Sequence, residues 1–181
     1  VQGCSIHCAG CQNKHLWNPD AGETVQVDSL AKRLLSTGEP LTITGGEPTD
    51  QPTALLSLLV RIRKLAPTIE IILYSGRTLE AILDRVQFGH MILERVDVLV
   101  DGPYVAALDN AFMQYRGSAN QRVIDVPATL RDGNGRPPVQ LDWDTPEVVV
   151  DGDTAVTATG YAGLIAGLGD PHLARRCGQP T

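Results

Sequence analysis

Apolar residues recur along the first hundred positions with two alternating periods. Leu30 and Leu34 mark one face of a helix expected over 29–37, with Asp28 placed to cap it and Gly38 after its end. "LTIT" at 41–44 then reads as a short buried strand. A second helix is expected over 51–66, capped by Asp50, with Pro52 in its first turn and Leu55, Leu58, Leu59, Ile62 and Leu65 on its apolar face. "IEIILY" at 69–74 is the next strand, followed by a helix that Thr78 caps and that carries Leu79, Ile82, Leu83 and Val86. "VDVLVD" at 96–101 is a third strand. Such alternation implies a parallel sheet with right-handed crossovers.

Beyond Gly102 the rhythm breaks. The loop-rich stretch "AFMQYRGSANQ" leads to a strand candidate at 122–126, and a Gly/Pro-rich connection follows at 131–138. "EVVVDGDTAVTAT" at 147–159 reads as a hairpin turning at Asp151 and Gly152. The last twenty or so residues form a weakly patterned tail, and no repeat or low-complexity block interrupts the chain. The expected class is α/β with a mostly parallel sheet, a C-terminal β-hairpin and a tail.

Composition narrows the reading. At 181 residues and 43% hydrophobic, the chain suits one sizeable core and a single domain with an appendage. A formal charge of -6, with scattered basic residues, gives no phosphate-backbone footprint and so no expected nucleic-acid partner. No apolar run has membrane-spanning length and no signal-type segment opens the chain, so a cytoplasmic protein without a membrane partner is expected, its thiols reduced. The first residue is Val1 rather than Met, close before the first cysteine, and an N-terminal strand trimmed from the sequence is expected.

Of the 4 cysteines, three stand together as CxxxCxxC at Cys4, Cys8 and Cys11. This spacing lets one irregular loop wrap three thiolates around an inorganic centre. A structural zinc site closes with four protein ligands, whereas a 4Fe-4S cluster on three cysteines keeps one iron open to a small molecule. If that molecule were S-adenosylmethionine, an electron from the cluster could cleave its sulfonium and yield a 5'-deoxyadenosyl radical. His15 keeps the alternative open, because with the three cysteines it would complete a Cys3His zinc site. His7 reads as a solvated loop residue. Cys177 reads as a lone thiol in the tail.

A second motif tips the balance towards the cluster. In "TITGGEPT" at 42–49 a buried strand runs into Gly45, Gly46, Glu47 and Pro48 at its C-terminal end, where parallel α/β sheets bind ligands. Two glycines allow close approach, and their carbonyls with Glu47 can accept hydrogen bonds from an ammonium group.

CxxxCxxC followed by GGEP resembles the radical S-adenosylmethionine superfamily. Within it, "VQGCSIHCAGCQNKHLW", "TITGGEPTDQP", "LYSGRT", "VDVLVDGPYV" and "YRGSANQRVIDV" are similar to the activating enzymes of glycyl-radical enzymes, those of anaerobic ribonucleoside-triphosphate reductase and pyruvate formate-lyase, the former more closely. The resemblance covers about 1–126, read as the core, with 127–181 as an appendage of the same domain. It implies a partial open (β/α) barrel, with the 4Fe-4S cluster on Cys4, Cys8 and Cys11 and the amino group of S-adenosylmethionine at Gly45, Gly46 and Glu47. It also implies a ligand contact at Ser75, a ligand or substrate contact at Asp101, a glycyl-radical enzyme as partner, and an electron donor such as flavodoxin or ferredoxin; Ser75 could equally cap a turn and Asp101 satisfy loop amides. Arg116 and Arg122 flank a loop that would help dock the partner, although the two arginines could equally pair with the chain's many acids. Many superfamily members carry an aromatic residue where this chain has Gly10, which leaves the adenine without an assigned stacking partner. Competing readings are a radical enzyme acting on a peptide or small molecule, and a zinc-stabilised binding module.

Overall fold

Helix α1 (Val27–Leu35) leads into strand β1 (Leu41–Ile43), helix α2 (Pro52–Leu65) and strand β2 (Ile71–Ser75). Helices α3 (Leu79–Arg85) and α4 (Gly89–Leu93) precede β3 (Val98–Asp101), and β4 (Arg122–Asp125) passes directly into α5 (Val126–Asp132). In this computed structural model the described residues are 1–109, 113–132 and 136–142, with the backbone of 147–151 and 155–159. The sheet is open and ordered β1-β2-β3-β4. β1 and β3 both run parallel to β2, and β4 is antiparallel to β3, so the sheet is mostly parallel.

Register explains where the core lies. Leu41 pairs with Ile71, Leu73 with Leu99, and Leu99 with Ile124, which puts these side chains on one face of the sheet. They form one buried cluster with Ala31, Leu55, Leu59, Ile62, Ile82 and Ile92 of the helices. Each such buried Leu or Ile contributes about 1.5–3 kcal/mol relative to exposure. The same alternation, continued to the strand ends, carries Ser75, Asp101 and Arg122 onto this face at the C-terminal edge.

Several local expectations need correction. Asp28 does not cap α1; it lies in the first turn, where its carboxylate meets Lys32 at 2.8 Å and Arg61 of α2 at 2.5 Å. The hydrogen bond from Lys32, with the nearby Arg61, holds that carboxyl below the usual range. Asp50 does not cap α2 either, because it belongs to a 3-10 turn at Pro48–Asp50 and turns toward the cysteine loop. Thr78 does cap α3, its hydroxyl accepting from the Ala81 amide at 3.3 Å. Leu83, expected on the apolar face, is 39% exposed. Val126 begins α5 instead of ending a strand, since the Asp125 side chain accepts from the Ala128 amide and opens a helix there.

The third strand begins at Val98 rather than residue 96. Asp97 instead ties the entry of β2 to α2, because its carboxylate accepts from the Ile71 amide and from Arg63, each at 2.7 Å. No helix among the described residues is long and apolar enough to cross a membrane.

The chain divides into two units, Val1–Asn110 with Arg116–Leu141, and Ala111–Tyr115 with Asp142–Thr181. The second contains an antiparallel hairpin of β5 (Glu147–Asp151) and β6 (Ala155–Thr159), as the alternating sequence predicts. Its expected turn residue Gly152, the tail and Cys177 lie outside the described residues.

Candidate functional site

Parallel strands deliver their following loops to one edge, and three of those loops meet the N-terminal segment here. Residues 1–3 run beside the end of β1. The Val1 amine donates to the Thr44 carbonyl at 2.7 Å, the Gly46 amide to the Val1 carbonyl at 2.8 Å, and the Glu47 amide to the Gly3 carbonyl at 2.7 Å. This approach is possible because positions 45 and 46 lack side chains. A Cβ on Gly45 would lie 2.4 Å from the Val1 backbone, and one on Gly46 would lie 2.0 Å from the Gly3 carbonyl oxygen. The glycines therefore admit the chain's own N-terminal segment. Among the described residues, no hydrogen bond fills the carbonyls of Gly45 or Gly46.

Cys4, Cys8 and Cys11 lie in the loop that leaves this junction; all three are free thiols of intermediate exposure. The loop's base is closed by Gly3 and Cys4, whose amides donate to the carbonyls of Leu16 and Trp17 at 2.8 and 3.1 Å. Within it, the Cys11 amide donates to the Cys8 carbonyl at 3.1 Å, and the Asn13 amide points at Cys11 Sγ at 3.4 Å. His7 stacks on Trp17 with ring centroids 4.5 Å apart, and Lys14 Nζ stands 5.9 Å from the same ring. His15 is exposed, and its carbonyl accepts from Gln2 Nε2 at 3.2 Å.

Among the described residues, no three His, Cys, Asp or Glu side chains converge on a point where a single ion would sit. A cubane cluster makes a different demand, because its irons occupy separate corners and its thiolates need not share one centre. Three soft thiol donors on one loop, with an amide directed at one sulfur, fit such a group.

Glu47 is the buried hub beneath the loop. At 1% exposure, its Oε1 accepts from the Thr49 amide at 3.0 Å, the Thr49 hydroxyl at 2.6 Å and the Ser75 hydroxyl at 2.9 Å. Oε2 accepts from the Gly76 amide at 2.8 Å. Ser75 is itself buried and accepts from the Arg77 amide at 3.0 Å, so its hydroxyl links the end of β2 to Glu47. A buried carboxylate is tolerated when hydrogen bonds replace water in this way.

Arg77 extends the network outward. Its Nη1 lies 3.0 Å from Thr49 Oγ1 and 3.7 Å from Glu47 Oε1; its Nη2 donates to Asp50 Oδ1 at 2.8 Å and to Ser5 Oγ at 3.1 Å. Asp50 accepts from both the Ser5 amide, at 2.6 Å, and the Ser5 hydroxyl, at 2.9 Å. The linear sequence singles out neither Arg77 nor Ser5, and it offers Asp50 as a helix cap. In "YSGRT" the serine stands out at the end of a strand, yet nothing in the linear order places Arg77 beside Ser5.

Asp101 lies one strand away with both oxygens engaged. Oδ2 accepts from the Leu79 amide at 2.6 Å and from Arg122, while Oδ1 accepts from Arg122 Nε at 2.9 Å. Arg122 also holds Glu80 at 3.1 and 2.8 Å. The Arg122 hydrogen bond is the largest influence holding the Glu80 carboxyl down to about 2, and the Asp101 bond in turn pushes the guanidinium above its ordinary value. Arg116 donates to the Gln121 carbonyl at 3.2 Å.

The loop after β3 then reaches the cysteines. A Cβ on Gly10 would meet the Ala106 Cβ at 3.0 Å and the Tyr104 ring at 3.6 Å. The Tyr104 hydroxyl donates to Asp109 at 2.7 Å, a bond that raises the phenol above its ordinary value. Tyr104 lies in the "VDVLVDGPYV" stretch, but nothing in the linear order places it beside the cysteine loop.

Residues 1–124 match the family described as a 4Fe-4S single cluster domain. The class is thus an α/β protein of a 4Fe-4S single-cluster family, with a three-cysteine loop beside the edge of its mostly parallel sheet. The chain is 31% identical over 131 residues to the anaerobic ribonucleoside-triphosphate reductase-activating protein of Vibrio cholerae, covering 67% of this chain and 81% of that one. It is 31% identical over 129 residues to the protein of that name from Haemophilus influenzae, with 67% and 81% covered. For the Escherichia coli K12 protein the figures are 30% over 132 residues, with 68% and 83% covered. The chain belongs to the family of anaerobic ribonucleoside-triphosphate reductase-activating proteins. No solved structure matches it.

Proposed function

We propose that this chain is a radical S-adenosylmethionine enzyme that installs a glycyl radical on an anaerobic ribonucleoside-triphosphate reductase, the partner being the one that the names of its relatives state for them. The observation that carries this reading is the junction of Gly3 and Glu47, which places a three-cysteine loop directly against a GGEP turn at the C-terminal edge of a parallel sheet. In this reading Cys4, Cys8 and Cys11 hold the cluster, and the sheet is part of a partial open (β/α) barrel. Held there, a reduced 4Fe-4S cluster would supply the electron for reductive cleavage of S-adenosylmethionine, the chemistry by which hydrogen would be removed from a glycine of the partner.

The carbonyls of Gly45 and Gly46 would receive the ammonium group of the substrate, since no donor within the described residues occupies them. Glu47 and Ser75 would act one step removed. Their polar atoms already bind one another and Gly76, so they would fix the turn whose carbonyls receive the ligand in this reading. Asp101 would set the neighbouring loop through Leu79 and Arg122. A flavodoxin or ferredoxin would serve as the electron donor.

Anaerobic reconstitution with iron and sulfide, followed by reduction with S-adenosylmethionine present, tests this. The expected result is a brown protein with about four irons that forms methionine and 5'-deoxyadenosine, and that gives the reductase an EPR-detectable glycyl radical. A colourless protein retaining one zinc would sink the proposal.

A further inference from the structure

Arg77 is the side chain that touches both parts of the site, the GGEP turn through Thr49 and the cysteine loop through Ser5. Asp50 completes a triangle with them, accepting from Arg77 and twice from Ser5. Ser5 directly follows Cys4. The Arg77 and Asp50 side chains are 27% and 21% exposed, so their bonds are partly shielded from water. A guanidinium suits this position because its two Nη atoms present donors in a fixed planar fork, Nη1 to Thr49 and Nη2 to Asp50 and Ser5, whereas an ammonium is a single point charge without that fork.

We propose that Arg77 and Asp50 are a positioning pair that fastens the cysteine loop to the GGEP turn through Ser5, and that their compensated charges set the reduction potential of the centre held there. The second clause rests on the functional reading above; the first does not. Reducing an iron-sulfur centre adds negative charge, and net charge and nearby hydrogen bonds set its potential. Removing the Arg77 cation would leave the Asp50 carboxylate uncompensated beside the loop and disfavour the added electron. The potential would fall. Removing both charges together would bring it back.

The full-length chain serves for both halves of the test. In metal-free protein, Arg77→Gln and Ser5→Ala should each speed iodoacetamide modification of Cys4 about tenfold, as expected when charge-assisted bonds that keep a loop closed are lost. Ser5→Ala removes one hydroxyl at an exposed position, so it also guards against misfolding in the arginine variant. Rates within about twofold of the parent for both variants would overturn the clamp.

In reconstituted protein, Arg77→Gln should disfavour reduction about tenfold, or ~59 mV for one electron. Arg77→Lys should keep the parent potential while still exposing Cys4 to the reagent, because it preserves charge but not the donor fork. Asp50→Asn with Arg77→Gln should restore the parent potential. An unchanged potential in Arg77→Gln alone would overturn the electrostatic clause. If the parent chain takes up no iron-sulfur centre, the functional reading falls and the electrostatic clause falls with it, while the alkylation rates still decide the clamp.

Discussion

Gly46 lies so close to Gly3 that a methyl group on the former would sit 2.0 Å from the carbonyl oxygen of the latter. The contact is between two backbones, so no side-chain rotation relieves it. Gly46→Ala must push residues 1–3 away from the turn and break the bond from the Glu47 amide to the Gly3 carbonyl. A loss of about 1–3 kcal/mol is expected, read as a lower urea midpoint of the metal-free protein. Iron loading should fall as well, because Cys4 follows the displaced residue directly. Parent-like stability and loading would show that the junction is dispensable.

Glu47 invites a substitution that changes charge while keeping shape. In Glu47→Gln one carboxylate oxygen becomes an NH2 group facing donors, whether the Gly76 amide on one side or the Thr49 and Ser75 groups on the other. Neither orientation satisfies every partner in a site that is 1% exposed. The expected cost is about 1–3 kcal/mol, measurable by urea unfolding without any cofactor. A residue serving solely to bind ligand would show no such loss, so a variant as stable as the parent would argue against Glu47 as the hub.

The alternation of strands and longer helices was legible as far as Asp101 because the apolar periods change between them, but the short helix α4 was not, since its five residues are too few to show a period. The motif pair was legible too, since Cys4, Cys8, Cys11 and Gly45 to Pro48 are contiguous runs of distinctive chemistry. What could not be read were the long-range roles of ordinary polar residues. Asp28 and Asp50 have the composition and position of helix caps, yet other partners take their carboxylates: Lys32 one turn along the same helix and Arg61 of α2 for one, Ser5 and Arg77 for the other. A capping preference is local and modest, so the position such a carboxylate takes is decided by which partners the folded chain brings to it. The purpose of the double glycine was likewise hidden, because its close neighbours are residues 1–3.

Glu80 supplies a pH dependence. Its carboxyl is held down to about 2 by Arg122, from an ordinary value of 4.5. A depressed folded-state value means the ionised form is favoured by folding, so its stabilisation is fully present above about pH 4.5 and disappears as the pH falls through about 2. The side chain is 57% exposed, so solvent screening limits the effect to under about 1 kcal/mol. Urea midpoints for the parent and Glu80→Gln should therefore differ at pH 6 and converge towards pH 2. A difference that stays constant across this window would assign the stability to packing and not to ionisation.

Metal loading separates the two chemistries that the cysteine loop left open. A closed zinc site would need a fourth protein ligand, and His15 has the spacing for it; yet His15 is exposed, and it is the backbone carbonyl of this residue that accepts from Gln2. A cluster on three thiolates needs no imidazole. Cys8→Ala should then abolish iron and sulfide uptake, whereas His15→Ala should retain about four irons and the parent visible spectrum. Cys177→Ser should retain them as well, because a fourth thiolate would fill the iron position that the proposed chemistry requires open. Iron and acid-labile sulfide assays on the three reconstituted variants decide the matter. Loss of metal from His15→Ala would turn the reading towards zinc, and loss from Cys177→Ser would give the centre four thiolates and no open iron.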